Sequence, residues 1–119
     1  MILSLPWPPS VNVYWRNVAG EVLISRKGRE YANSVRAYVL QNYCRSAYFL
    51  RPVSVDIIAY PPNRARRDLD NLPKAILDAL TKARVWDDDS LVHDLRIRWG
   101  EVRKGGEIRI SINAMEATA

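Results

Sequence analysis

At 119 residues, 48% hydrophobic and 26% charged, the chain has the size and composition of one globular domain covering residues 1–119. No apolar run is long enough to span a bilayer, "MILSLPWPPS" lacks the basic start of a signal peptide, and the single cysteine, Cys44, cannot close an internal disulfide. A membrane role is thereby excluded, a reducing, cytoplasmic setting with Cys44 as a buried small hydrophobe fits best, and the net charge of +5 suits a polyanionic partner.

Residues 1–5 read as a short strand that the prolines of "PWPPS" end, because proline has no donor for a ladder. "EVLIS" (21–25) reads as a second strand. From about Lys27 to Tyr43 the spacing is helical, with Ala32, Val35, Val39 and Tyr43 on one face and Arg29, Asn33 and Arg36 on another. "PVSVDIIAY" (52–60) alternates, sending Val53, Val55, Ile57 and Ala59 to one side. After the loop "PPNRARR" a second helix follows, with Asp70 placed as its N-cap, Pro73 in the first turn, and Leu72, Ala75, Ile76, Ala79, Leu80 and Ala83 as its buried stripe. "DDDS" is a turn. Leu91, His93, Leu95, Ile97 and Trp99 then form the apolar side of a strand, "KGG" suggests a hairpin, and Ile108, Ile110 and Ile112 alternate in the last strand. The predicted order is ββαβαββ: an α+β domain with a mixed sheet and two helices packed on it.

The charge is unevenly spread. Residues 68–94 hold seven acids and three bases, a net of −4, so the remainder carries +9. Within this acidic island, Asp68 and Asp70 lie two apart, an extended segment would aim both the same way, and Lys74 follows one helical turn later. The turn at 87–89 supplies a third carboxylate if the helix packs back along the sheet. Charges about 4 Å apart at an effective dielectric near 20 repel by roughly 4 kcal/mol. Such a cluster must be protonated, paired with arginine, or bound to a cation. Oxygen-only donors without a histidine or cysteine pattern favour Mg²⁺, or Mn²⁺ in its place, over zinc. A metal beside arginines and a lysine is equipment for phosphodiester hydrolysis. The same residues also have plainer readings: Asp70 as a helix cap, "RARR" as a solvated basic loop, and "DDD" as a turn.

Two blocks carry a resemblance. "LPWPPSVNVYWR" (5–16) and "RRDLDNLPKAILDALTKARVWDDDSLV" (66–92) resemble, in order and separation, the RusA family of Holliday junction resolvases, over nearly the whole chain. The resemblance implies a homodimer that binds four-way branched DNA and makes paired symmetric cuts with Mg²⁺ and no organic cofactor. It also implies Asp68, Asp70 and Asp89 as metal ligands with Asp88 in support, Lys74 as the catalytic lysine, and Arg64, Arg66 and Arg67 as phosphate contacts. Four positions depart from the family pattern. Arg84 stands where a glycine is usual, which puts the left-handed turn there in question; Asp87, Leu91 and Pro73 also differ, and none removes a proposed ligand.

The remaining candidates are further from the acids. Tyr14, Trp15 and Arg16 follow the proline turn, where an aromatic beside an arginine can wedge at a junction's open centre. Arg29, Asn33 and Arg36 on the first helix, and Arg96, Arg98 and Arg103 near the last turn, are phosphate-contact candidates. The other aromatic residues read as core, and His93, on the apolar side of its strand, reads as structural. Two other functions stay open on the residues alone: a branched-DNA-binding protein without turnover, and a metal nuclease acting on flaps or RNA.

Overall fold

The computed structural model describes residues 1–43 and 48–115, so Cys44 lies outside the described residues. In chain order the elements are β1 (Ile2–Leu5), the single turn α1 (Val11–Tyr14), β2 (Trp15–Val18), β3 (Glu21–Ile24), α2 (Arg26–Tyr43), β4 (Val53–Tyr60), α3 (Pro73–Lys82), β5 (Val92–Trp99) and β6 (Glu107–Ala114). Short 3₁₀ turns at Leu69–Asn71 and Asp89–Leu91 flank α3.

Alternation builds the centre of the fold. Val53, Val55, Ile57 and Ala59 of β4 and Ile108, Ile110 and Ile112 of β6 are buried, and the two strands pair antiparallel with Ile57 opposite Ile110. β1 adds Leu3 and Leu5 beyond β6, and β5 runs parallel to β4 on the other edge, giving the order β1-β6-β4-β5. A parallel neighbour needs a crossover, and α3 is that crossover. Its predicted stripe, Leu72, Ala75, Ile76, Ala79, Leu80 and Ala83, is buried in full, and Ala32, Val35 and Val39 of α2 join the same core. The domain is α+β, as expected.

The detailed order differs from ββαβαββ by the added α1 and β2, and the last turn joins strands that do not pair. β2, not anticipated, pairs antiparallel with β3 around Ala19 and Gly20, and this hairpin stands apart from the main sheet. "KGG" makes a turn, with Gly105 and Gly106 at positive φ, but it closes no hairpin, because β4 lies between β5 and β6. The 100–106 connection therefore crosses the end of β4, tied down by Gly100 N–H to Ala59 O at 2.8 Å and Arg103 N–H to Pro61 O at 2.9 Å. Placing β5 at the edge also corrects His93, which is exposed rather than buried. Leu95 and Trp99, on the inner face of that strand, are each 39% exposed.

α3 closes in a left-handed turn despite the missing glycine. Arg84 takes φ +65°. Its N–H reaches Thr81 O at 3.0 Å and the Val85 N–H reaches Leu80 O at 3.1 Å, the two bonds of a Schellman closure, with Leu80 and Val85 both buried. A side chain there costs roughly 1–2 kcal/mol that glycine would not. Trp86, fully buried, then donates its ring N–H to Thr81 Oγ1 at 2.7 Å and fixes the chain leading into the acidic turn.

Candidate active site

Asp70 is not the cap of α3. The 3₁₀ turn Leu69–Asn71 comes first, built on Asn71 N–H to Asp68 O at 3.2 Å and Leu72 N–H to Leu69 O at 3.3 Å. Leu72 then occupies the N-cap position and Pro73 the first helical position, where no donor is needed. Asp68 stands before the turn without a side-chain cap bond. Both carboxylates are exposed, and among the described residues neither has a hydrogen-bonding or ionic partner. Because Asp70 sits in the turn, strand alternation does not set a common direction for the pair.

Asp68 lines a cleft of about 400 Å³ with Trp7, Ser10, Arg66, Arg67 and Asn71. This cleft joins the two sequence blocks. Tyr31, buried on α2, holds the first of them by donating its hydroxyl to Pro6 O at 2.9 Å; burial raises the pKa of that hydroxyl, which stays a donor. Arg67 spends three of its N–H groups on its own loop, to Asn63 O (3.1 Å), Asn63 Oδ1 (2.8 Å) and Ala65 O (3.1 Å), and lies 5.6 Å from the Trp7 ring centre. It shapes the loop that presents Arg64 and Arg66, both exposed.

Lys74, in the first turn of α3, places its ammonium 4.9 Å from the centre of the Trp15 ring, a cation–π contact. Trp15 is held in turn through its neighbour. Tyr14 is completely buried and donates its hydroxyl to Asp78 Oδ2 at 2.6 Å. That burial removes Tyr14 from the DNA-contact candidates, since no base can reach it. Burial, then the hydrogen bond to Asp78, raise the Tyr14 pKa far above its ordinary value. Ser25 accepts the Gly28 N–H at the start of α2 (3.0 Å) and donates to Val13 O, while its own N–H bonds Tyr14 O at 2.8 Å. Gly28 permits this approach, because a Cβ there would lie 2.4 Å from Tyr14 O.

Asp78 is the participant that the sequence reading counted among the acids but gave no role. Besides Tyr14, it accepts from Lys82 at 2.6 Å. The Asp78/Lys82 spacing of four was visible as a helical ion pair, whereas the Tyr14 bond joins residues 64 apart and had no local signal. Asp78 also connects the helix to the acidic turn. Asp89 is exposed, yet partial loss of hydration, then the charge and hydrogen bond of Asp88, then the charge of Asp78, raise its carboxyl pKa above the ordinary value.

Among the described residues, no three carboxylate, histidine or cysteine side chains are gathered to enclose a metal ion. Asp68, Asp70 and Asp89 therefore form no such group here, and three uncompensated carboxylates brought together would repel one another. The donor chemistry does fit an ion of the Mg²⁺ class. Such an ion takes only a few protein carboxylates and leaves its other positions to water and phosphate. The adjacent acids Asp88 and Asp89 offer hard oxygen donors whose repulsion a cation relieves.

The other basic candidates are spread over the surface. Arg16 is exposed on β2, and Arg29, exposed on α2, donates to Ile24 O at 3.1 Å. Arg36 lines a separate groove between α2 and the end of α3. Arg103 is paired with Glu107 (3.1 Å) and Glu101 (3.5 Å) and stacked 3.6 Å over Tyr60, a structural assignment that takes it from the phosphate-contact set.

This arrangement, exposed aspartates beside an arginine loop with a lysine held by an aromatic ring, sits within a wider match. The family model for endodeoxyribonuclease RusA covers residues 6–113. The chain belongs to the RusA family of endodeoxyribonucleases. Crossover junction endodeoxyribonuclease RusA of Escherichia coli is 42% identical over 113 residues, 95% of this chain and 93% of that protein. The proteins of the same name from Shigella sonnei and Enterobacteria phage 82 match with the same identity and coverage. The resemblance read from the two sequence blocks is borne out, and both RusA-like blocks lie almost wholly within the matched span. No helix among the described residues is long and apolar enough to cross a membrane.

Proposed function

We propose that this chain resolves four-way DNA junctions in the cytoplasm of a bacterium, making paired symmetric cuts as a homodimer with Mg²⁺, or Mn²⁺ in its place. Asp68, Asp70 and Asp89 are the ligands in this reading, with Asp88 in support. The observation that carries it is the state of Asp68 and Asp70: both are exposed and neither caps α3, and Asp68 shares a cleft with Arg66 and Arg67. Aspartates that only started a helix would be bonded to its free N–H groups.

The chain's own groups have distinct work. Arg64 and Arg66 draw in the backbone phosphate, and Arg67 keeps their loop in shape. Lys74, fixed over Trp15, offsets negative charge that builds on the phosphate as the water oxygen bonds to phosphorus and the P–O bond to the leaving strand breaks. Bound Mg²⁺ supplies Lewis acidity toward the phosphate and lowers the pKa of its water. A junction has near two-fold symmetry, which suits a two-fold dimer with one site per subunit.

The test uses labelled immobile four-way junction, flap, RNA and linear duplex, each with and without Mg²⁺, for the wild type and Asp70→Asn. Paired nicks on the junction alone, absent without the ion and in the variant while junction binding persists, are the expected result. Binding with no cutting under any divalent ion refutes the nuclease reading in favour of a binding protein. Preferential cutting of flaps or RNA moves the substrate assignment to those nucleic acids.

A further inference from the structure

We infer that the groove between α2 and the C-terminal end of α3 is a second anchoring site for DNA, one that takes the phosphodiester backbone of a duplex arm through Arg84 and Arg36. For its substrate this inference rests on the junction reading above. The groove, of about 420 Å³, is lined by Asn33, Arg36, Lys82, Arg84 and Asp87 among others. Its cations outnumber its acids three to one. The Lys82 ammonium is engaged by Asp78, whereas among the described residues Arg36 and Arg84 have no acidic partner. Asp87 faces the Tyr48 hydroxyl and raises its pKa.

Arg84 is the reason to read the groove as a site rather than a solvated face. It holds φ +65° in a Schellman turn, a conformation suited to glycine, so the local fold gains nothing from a long charged side chain there. Strain kept at a position that the fold does not require points to work done by the side chain. That side chain lines the groove together with Arg36 from the facing helix. The guanidinium forks match the spacing and charge of phosphate oxygens, and Asn33 adds a neutral polar group. Its rim leads toward the acidic turn: Lys82 bonds Asp78, whose charge is felt at Asp89. A backbone that enters beside the acidic turn meets these arginines next.

The experiment measures four-way junction binding in EDTA over a range of KCl concentrations for wild type, Arg84→Gly, Arg84→Lys and Arg36→Gln, with a thermal melt of each. Each lost phosphate contact lowers the slope of log K against log salt by about 0.9 and weakens binding about five- to tenfold near 0.1 M salt. Arg84→Gly and Arg36→Gln show that loss, and Arg84→Lys keeps the wild-type slope. Because glycine relieves the backbone at this position, Arg84→Gly melts no lower than wild type, which separates lost binding from lost fold. A wild-type salt slope in Arg84→Gly, or a lower melting temperature for it, overturns the inference. Junction cleavage by the wild type with Mg²⁺ is assayed in parallel. Failure there refutes the nuclease reading and leaves the salt-slope result standing.

Discussion

Replacing Tyr14 by Phe deletes one oxygen atom and tests whether the Tyr14–Asp78 bond holds the amino-terminal segment on α3. The bond is 2.6 Å long, its donor is completely buried, and its acceptor is charged. Hydrogen bonds to charged groups contribute about 1.5–3 kcal/mol. Asp78 keeps Lys82 as a second partner, so the lower end, about 1.5 kcal/mol, applies. With an unfolding entropy of roughly 2 cal/mol/K per residue, that is a fall of about 6 °C in Tm. Urea unfolding of Tyr14→Phe, Asp78→Asn and the double variant forms a cycle whose coupling should be about 1–2 kcal/mol. The bond also fixes Trp15 beside Lys74, so cleavage by Tyr14→Phe should fall more than junction binding does. A Tm within about 1 °C of wild type, or additivity in the cycle, would refute the reasoning.

Three further outcomes are expected. Gly28→Ala forces a Cβ to within 2.4 Å of Tyr14 O and 2.8 Å of Ile24 Cγ1, and urea unfolding should show a loss of about 1–3 kcal/mol. Asp89→Asn should raise Tm at pH 7 in EDTA. The Asp89 pKa is raised on folding, so its contribution to stability is present below the ordinary carboxylate value and is lost as pH rises through the folded pKa; the variant's advantage should vanish in melts below about pH 4, and a lower Tm at pH 7 contradicts it. Asp68→Asn, which loses no partner among the described residues, should leave the metal-free Tm unchanged or higher; a clear drop means that Asp68 is paired structurally.

What the sequence disclosed follows from the range over which each signal acts. The period of β4 and β6 and the stripe of α3 are local, and every core position assigned to them is buried. β3 was read as a strand, but its partner β2 escaped because Arg16, Asn17 and Val18 are exposed and leave no alternation against a core. The partner of β5 was misread because Gly105 and Gly106 describe only a turn, whereas the intervening β4 is a long-range fact. In the site, the exposed acids and the arginine loop were legible as residue types. Their division of labour was not. Whether Asp70 caps a helix depended on a 3₁₀ turn of three residues, and the burial of Tyr14 depended on a carboxylate 64 residues away.

The crossover helix has a consequence for insertions and deletions. Its ten residues carry the chain about 15 Å from the arginine loop toward the acidic turn. Adding or removing one residue inside it would rotate everything downstream by about 100° and displace it by 1.5 Å, turning Ala79 and Leu80 out of the core and Asp78 away from Tyr14. Four added residues nearly restore the phase yet push the acidic turn about 6 Å out of register. The length between "RRDLDN" and "WDDD" is therefore a fixed dimension of this enzyme, while the exposed turn at Lys104 and Gly105 can absorb extra residues at little cost.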